Sequence, residues 1–297
     1  MNDNITPYVR YIGADDKDLD LFESQYVVPQ GISYNSYVIT DEKIAVMDTI
    51  DQRKTEEWTV RLEEALEGRT PDYLIVQHME PDHAANIGWF AEKYPEATIV
   101  ASAKAIQMMP QFFEEVNFAG RTQTVKEGDT LCLGQHTLKF IMAPMVHWPE
   151  VMLTYEESEK ILFSADAFGK FGALCHEGEW IDEARRYYFN ICGKYGTQVK
   201  NVLKKATSPC PQAICPLHGP VLRGAALQQA VSLYGTWSSY EPESEGVLVA
   251  YASIHGGTKK AAERLADMLR EKGAKKVVLA DLTRSDMAEV IEDAFRY

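Results

Sequence analysis

The sequence predicts a mixed α/β protein that ends in a second, shorter α/β unit. Three observations predict it. Short apolar runs alternate with stretches of helical spacing as far as about residue 240. Several of those runs end in His, Asp or Glu, so polar groups collect at strand ends. After a polar linker, residues 238–246, an apolar strand, a glycine-bearing loop and a helical stretch follow one another.

Composition bounds the answer. The 297 residues suffice for one large domain or two modest ones, and 45% hydrophobic with 25% charged residues is ordinary for a folded soluble chain. The start, Met1-Asn2-Asp3-Asn4, is polar, and no apolar run reaches the roughly 20 residues that a membrane helix needs. A cytoplasmic protein with no membrane contact is expected. A net charge of −14 argues against nucleic acid, whose phosphates it would repel, and suits a protein partner with a basic patch. The five cysteines are scattered with no C-x-x-C pair, which reads as reduced thiols, mostly small buried hydrophobes.

In chain order, residues 32–39 read as a strand, Asp41-Glu42-Lys43 as the turn, and 44–48 as the returning strand that ends at Asp48. Trp58, Leu62 and Leu66 give residues 53–67 a helical face. Tyr73-Leu74-Ile75-Val76 is a buried strand, and His78, Glu80, Asp82 and His83 follow it within six residues. Pro81 among them predicts a loop rather than a helix, with a helix from Ala84 towards Lys93. Two imidazoles and two carboxylates converging after one strand point to a metal site rather than to solvated loop charges.

Residues 97–101 read as a strand, 104–116 as a helix, and 122–142 as several short strands with turns at Glu127-Gly128 and Gly134-Gln135. His147 then stands between Pro144 and Pro149 at a strand end; Asp166 follows the apolar Ile161-Leu162-Phe163 among small residues; His218 closes the run from Ala213. Residues 180–206 form one long helical pattern that carries Tyr187, Tyr188, Phe189, Ile191 and Tyr195. Four His and three carboxylates suffice for two metal ions with open positions. Imidazole and carboxylate without thiolate suit iron, zinc or manganese.

The spacing His-x-Glu-x-Asp-His at 78–83 resembles the metal motif of the metallo-β-lactamase superfamily, with Glu80 where its hydrolases carry His. This form is similar to the flavodiiron proteins, or A-type flavoproteins, and the phrases HWPEVMLTY and LFSADAFG strengthen the likeness. The resemblance implies a metallo-β-lactamase-like αββα sandwich over residues 1–240. It implies that His78, Glu80 and His147 hold one iron, that Asp82, His83 and His218 hold the other, and that Asp166 bridges them. Asp48 would brace the metal loop. A tyrosine of the 180–206 stretch would line the substrate pocket as a catalytic residue, with Tyr195 the candidate and Tyr26 a second.

Residues 247–297 resemble the start of a flavodoxin-like FMN domain. Ser253, Ile254, His255, Gly256, Gly257 and Thr258 would cradle the FMN phosphate, since backbone N–H groups at a helix N-terminus favour an anion. Two strands of a five-strand fold make an incomplete flavodoxin-like parallel α/β segment. Weak FMN binding, and poor order or pairing with another chain in this segment, are therefore expected. The resemblance implies a diiron oxidoreductase that reduces dioxygen to water and/or nitric oxide to nitrous oxide. Electrons would come through FMN from a small redox protein such as rubredoxin, in a head-to-tail homodimer or higher assembly. The alternative is a dizinc hydrolase of the same superfamily, with metal-bound hydroxide as nucleophile.

Overall fold

The computed structural model describes residues 4–176 and 180–297; Met1, Asn2 and Asp3 of the polar start lie outside the described residues. The chain opens with β1 (Val9–Tyr11), β2 (Ala14–Asp16), β3 (Leu21–Phe22) and β4 (Tyr26–Val27), mostly too short to show a period in sequence. Next come β5 (Ile32–Tyr34), β6 (Tyr37–Thr40), β7 (Ile44–Met47), α1 (Thr55–Leu66) and β8 (Tyr73–Val76). Then follow α2 (Pro81–Ala84), α3 (Ile87–Lys93), β9 (Thr98–Ser102), α4 (Ala103–Phe112) and β10 (Thr122–Val125). These build a six-stranded sheet in the order β1-β6-β7-β8-β9-β10, parallel from β7 to β10.

A second six-stranded sheet follows from β11 (Thr130–Cys132), β12 (Thr137–Met142), β13 (Met152–Glu156) and β14 (Ile161–Phe163). After α5 (Trp180–Ile191) and α6 (Gly196–Thr207) it is completed by β15 (Ala213–Cys215) and β16 (Leu222–Arg223), and α7 (Gly224–Ser238) covers it. Strand alternation produces the layers. Ala45, Met47, Ile75 and Val100 meet Phe140, Met152, Phe163 and Cys215 in the core between the sheets. The intervening Ile44, Val46, Leu74 and Ile99 face outwards to the helices, against Trp58, Leu62, Ile87 and Phe90. Helix, sheet, sheet, helix is the αββα layering expected.

Three local readings are corrected. Residues 32–39 are two strands, not one, because Asn35 turns out of the sheet. Its N–H donates to Leu217 O, and its Nδ2 donates to Pro216 O and Gly219 O, each at 2.8 Å. Pro81 does not exclude a helix; it starts the single turn of α2, where a proline has no hydrogen bond to lose. The pattern at 180–206 breaks into two helices around a 3-10 turn, Gly193–Tyr195.

The C-terminal stretch forms β17 (Val247–Tyr251), α8 (Gly257–Glu271), β18 (Val277–Asp281) and α9 (Met287–Arg296), with β17 and β18 parallel. Its α9 is docked on α5. Arg185, with only 1% of its side chain exposed, bonds Glu243, Glu292 and Asp182, while Arg186 bonds Asp286 at 2.9 Å. Phe189 and Phe295 stack with their centroids 4.6 Å apart. Among the described residues no helix is long and apolar enough to cross a membrane.

Candidate metal centre

Every candidate ligand leaves the fold at the same rim. His78 and Glu80 follow β8, Asp82 and His83 lie in α2, His147 follows β12, Asp166 follows β14 and His218 follows β15. Backbone bonds between the two sheets close this rim, Met152 N–H to Gln77 O at 3.0 Å and Asn35 N–H to Leu217 O, and Thr49 N–H to His83 O ties two loops of the first sheet together. Non-glycine residues in the left-handed region recur in these loops: Asp48 (φ 53), Met145 (φ 67), Ala165 (φ 48) and Phe168 (φ 68). Such conformations persist where the surroundings over-determine them, which is usual at functional sites.

The seven side chains form two groups. His78, Glu80, His147 and Asp166 each offer a ligand atom within 4.8 Å of the others, and so do Asp82, His83 and His218. Asp166 faces both. Its Oδ2 lies 2.9 Å from His147 Nε2 and 3.4 Å from His78 Nε2; its Oδ1 lies 3.2 Å from His83 Nε2 and 3.8 Å from His218 Nε2. Glu80 Oε2 stands 3.1 Å from His78 Nε2 and 3.0 Å from His147 Nε2. Asp82 Oδ2 is 3.2 Å from both His83 Nε2 and His218 Nε2, which are themselves 3.1 Å apart.

These distances fit two metal ions. Ligand atoms about 2.1 Å from one ion lie about 3.0 Å apart in octahedral geometry and about 3.4 Å apart in tetrahedral geometry. Both oxygens of Asp82 and Oδ1 of Asp166 are buried with no hydrogen-bond partner. Buried carboxylate oxygens without donors are costly unless a cation completes them. The all-nitrogen-and-oxygen donor set suits iron.

A second layer orients the ligands. Glu150 Oε1 is 2.8 Å from His78 Nδ1 and Ser33 O is 2.7 Å from His218 Nδ1. Neither oxygen has a proton to give in these contacts, so both rings donate from Nδ1 and turn Nε2 to the metal side. Asp48 accepts from Gln77 N–H at 2.7 Å and Gln77 Nε2 at 2.8 Å, and more weakly from His78 N–H at 3.4 Å, bracing the strand end that carries His78. Aromatic rings surround the ligands: Phe22 and Tyr187 on His218, Trp148 on His78.

The charges are mutually dependent. Burial alone would make the imidazoles neutral, but Asp82 and Asp166 outweigh it and raise His83 to about 10. For His147 burial is likewise outweighed, here by Asp166 and Glu80, which raise it to about 9. Asp166, despite complete burial, is held well below the usual carboxylate range by His78 and His83. Burial pushes Asp48 up to about 6 against its hydrogen bonds from Gln77.

The other sequence candidates lie elsewhere. Tyr195 is half-buried in the 3-10 turn and takes Lys194 Nζ over its ring at 5.0 Å. Tyr187 is the tyrosine of this stretch whose ring meets a candidate ligand, 5.5 Å from His218. Tyr26 donates to Asn190 O at 3.2 Å. Ser253, Ile254, His255 and Gly256 join β17 to α8, which Gly257 and Thr258 begin; Gly256 (φ 82) caps it without a side-chain bond, and Ser253 Oγ is buried without a partner. A loop with free N–H groups and a free hydroxyl fits a phosphate. Sequence reasoning missed Glu150, Ser33 and the place of Tyr187. Glu150 follows His147 by three residues and was available as a carboxylate at the head of an apolar strand.

A family model described as ODP family beta lactamase matches residues 32–219. The nitric oxide reductase of Moorella thermoacetica is 30% identical over 97% of this chain and 74% of its own length. The rubredoxin-oxygen oxidoreductase of Megalodesulfovibrio gigas is 30% identical over 88% of this chain and 67% of its own length. The crystal structure of the flavodiiron protein from Giardia intestinalis superposes with a TM-score of 0.91 at 30% identity, covering 98% of this chain and 72% of that one. The chain spans from 50% to 74% of the length of the curated relatives it matches. Matching fold, motif and relatives over nearly the whole chain lead to one assignment: the chain belongs to the flavodiiron proteins, with a metallo-β-lactamase-like fold.

Proposed function

We propose that this chain is a diiron oxidoreductase that reduces dioxygen to water, nitric oxide to nitrous oxide, or both. The observation that carries the reading is the division of Asp166, with one oxygen towards each of two nitrogen-and-oxygen ligand groups. His78, Glu80 and His147 would hold one iron and Asp82, His83 and His218 the other, with Asp166, whose two oxygens face the two groups, between them. When bound, the two ions supply open positions for a diatomic molecule and one electron each. The residues do the rest. Glu150 and Ser33 fix the proton of His78 and His218 on Nδ1, leaving Nε2 free for metal. Phe22, Trp148 and Tyr187 pack on the rings of His218 and His78 and hold them in place.

Electrons reach the centre through FMN, and residues 253–258 hold its phosphate. The names of the relatives support a small redox protein such as rubredoxin as donor. The chain works as a homodimer or higher assembly, in which one subunit's flavin segment meets its partner's metal centre. A dizinc hydrolase is not favoured: the named relatives are oxidoreductases, and Glu80 stands where the hydrolase motif has His.

The test is anaerobic loading with ferrous iron, followed by metal analysis and by dioxygen and nitric oxide consumption with a chemical reductant. Two irons per chain and rapid turnover are expected. Two tightly held zinc ions with ester or lactam hydrolysis, and no reaction of the iron-loaded chain, would overturn the reading.

A further inference from the structure

A column of aromatic rings runs from the ligand loop after β14, across α7, to the start of α5. Phe168, two residues past Asp166, donates its N–H to the hydroxyl oxygen of Tyr234, and the two rings stack with centroids 4.2 Å apart. Tyr234 lies 5.5 Å from Trp237, and Trp237 stacks on Trp180 at 6.2 Å with the ring planes 19° apart. Phe168, Tyr234 and Trp237 are buried and Trp180 is half-buried, so the column leads from the ligand loop towards solvent. Tyr188 packs against both Tyr234 and Trp237, at 5.0 Å and 5.3 Å.

The rings differ in what they can give. A phenyl ring such as Phe168 is hard to oxidise. Burial holds the Tyr234 hydroxyl well above its ordinary range, so this ring keeps its proton and serves as a bridge. Trp237 is fully buried, and its Nε1–H donates to Glu243 Oε2 at 2.7 Å. Against burial, the bonds from Arg185 and Trp237 hold Glu243 below the ordinary carboxylate range, so the indole N–H rests on an anion. Negative charge at that N–H favours positive charge on the ring.

We propose that Trp237 and Trp180, bridged to the Asp166 loop by Tyr234 and Phe168, form a relay that supplies electrons when dioxygen arrives before enough donor electrons do. The inference rests on the diiron reading above. Reduction of one dioxygen to two waters takes four electrons, of which two ferrous ions supply one each and reduced FMN the others. When FMN is oxidised, Trp237 gives up one electron through the bridge, and its N–H proton stays in the hydrogen bond to Glu243. Trp180 then reduces Trp237 and is oxidised in its place, where a small thiol restores it. A second passage supplies the fourth electron. The two thiols couple as a disulfide and release two protons, and solvent provides the four protons of the two waters. Reduction of two nitric oxide molecules to nitrous oxide and water takes only two electrons, which the irons supply, so the relay belongs to the dioxygen reaction.

The experiment mixes the iron-loaded, reduced full chain, without FMN or further reductant, with dioxygen-saturated buffer. Electron paramagnetic resonance of freeze-quenched samples and peptide mass spectrometry read the outcome. A tryptophan radical and oxygenated Trp180 are expected; nitric oxide in place of dioxygen should give neither, and added glutathione should suppress both. Trp237→Phe should keep two irons per chain and lose the oxygenation at Trp180. Trp180→Phe should move it to Trp237, which decides the matter if Trp237→Phe does not fold. Four results overturn the relay and leave the diiron reading standing: no oxygenated Trp180 in the iron-replete unaltered chain, equal oxygenation in a zinc-loaded chain, whose metal cannot change oxidation state, equal oxygenation after nitric oxide, or oxygenation that ignores both substitutions. Failure of the unaltered chain to hold two irons overturns the diiron reading and this inference with it.

Discussion

Glu150 holds His78 from behind: its Oε1 lies 2.8 Å from the ring's Nδ1 and also accepts Met79 N–H at 2.9 Å. One buried carboxylate oxygen thereby fixes both the tautomer of a ligand and the backbone that follows it. Glu150→Gln keeps the shape but can turn a donor towards His78, and Glu150→Ala leaves the ring free to rotate. Each is expected to weaken iron binding about 10- to 100-fold. Competition against a chelator of known affinity measures it, and an unchanged midpoint in both variants would rule out the orienting role.

Asp166 predicts an asymmetry in metal content. His147 and His218 each belong to one ligand group, but Asp166 faces both. His147→Ala and His218→Ala are expected to fall from two irons towards one, while Asp166→Ala loses most of both. Elemental analysis after identical loading and desalting checks this. An Asp166→Ala chain that retains two irons would contradict the bridging geometry.

Stability of the metal-free chain should fall in alkali. His83 and His147 are raised from their ordinary 6.5 to about 10 and about 9, where burial is outweighed by Asp82, Asp166 and Glu80. A raised folded value means that the folded state binds the proton more tightly than the unfolded state. This stabilisation is complete below about pH 6.5 and is lost as pH rises through 9 to 10. Iron needs these rings unprotonated, so the loaded chain should lack the alkaline fall. Thermal midpoints from pH 6 to 10, with and without iron, provide the comparison. Parallel curves would refute the assignment.

Arg185 carries the junction between α5 and the C-terminal segment. Its guanidinium meets Glu243, Glu292 and Asp182 with 1% of the side chain exposed. Removing it leaves Glu292, already raised to about 7 by burial, beside Glu243 with no cation between them. Arg185→Ala should cost about 3 kcal/mol in urea unfolding, because the abandoned carboxylates stay partly buried. Hydrogen exchange should rise across residues 243–297 before the sheets open. Protection unchanged there would show that packing alone holds the segment.

The clustering of the seven candidate ligands was legible because they stand at or just past the ends of short apolar runs, where strands hand side chains to a rim. The αββα layering was legible through the flanking phrases more than through periodicity. What stayed hidden depends on contacts between distant segments. Glu150 becomes an orienting group only because β13 starts beside the end of β8, with Met152 N–H bonded to Gln77 O. Asn35 interrupts an apparently continuous strand to hold the His218 loop, 181 residues away in sequence at Pro216. The helical pattern at 180–206 is continuous in hydrophobic spacing, yet Gly193 lets the chain tighten and separates Tyr187 from Tyr195 in space.

Helix α5 presents Tyr187 to His218 and, two residues to either side along the chain, Arg185 and Phe189 to residues beyond Trp237. Twelve residues thus serve two neighbours at once. A substitution that suits one neighbour is judged by the other, so this helix should tolerate exchange less well than a helix such as α4, which packs on β9 and β10. Anyone replacing the segment after residue 240 on this scaffold would have to carry α5 along with it, or redesign both of its faces together.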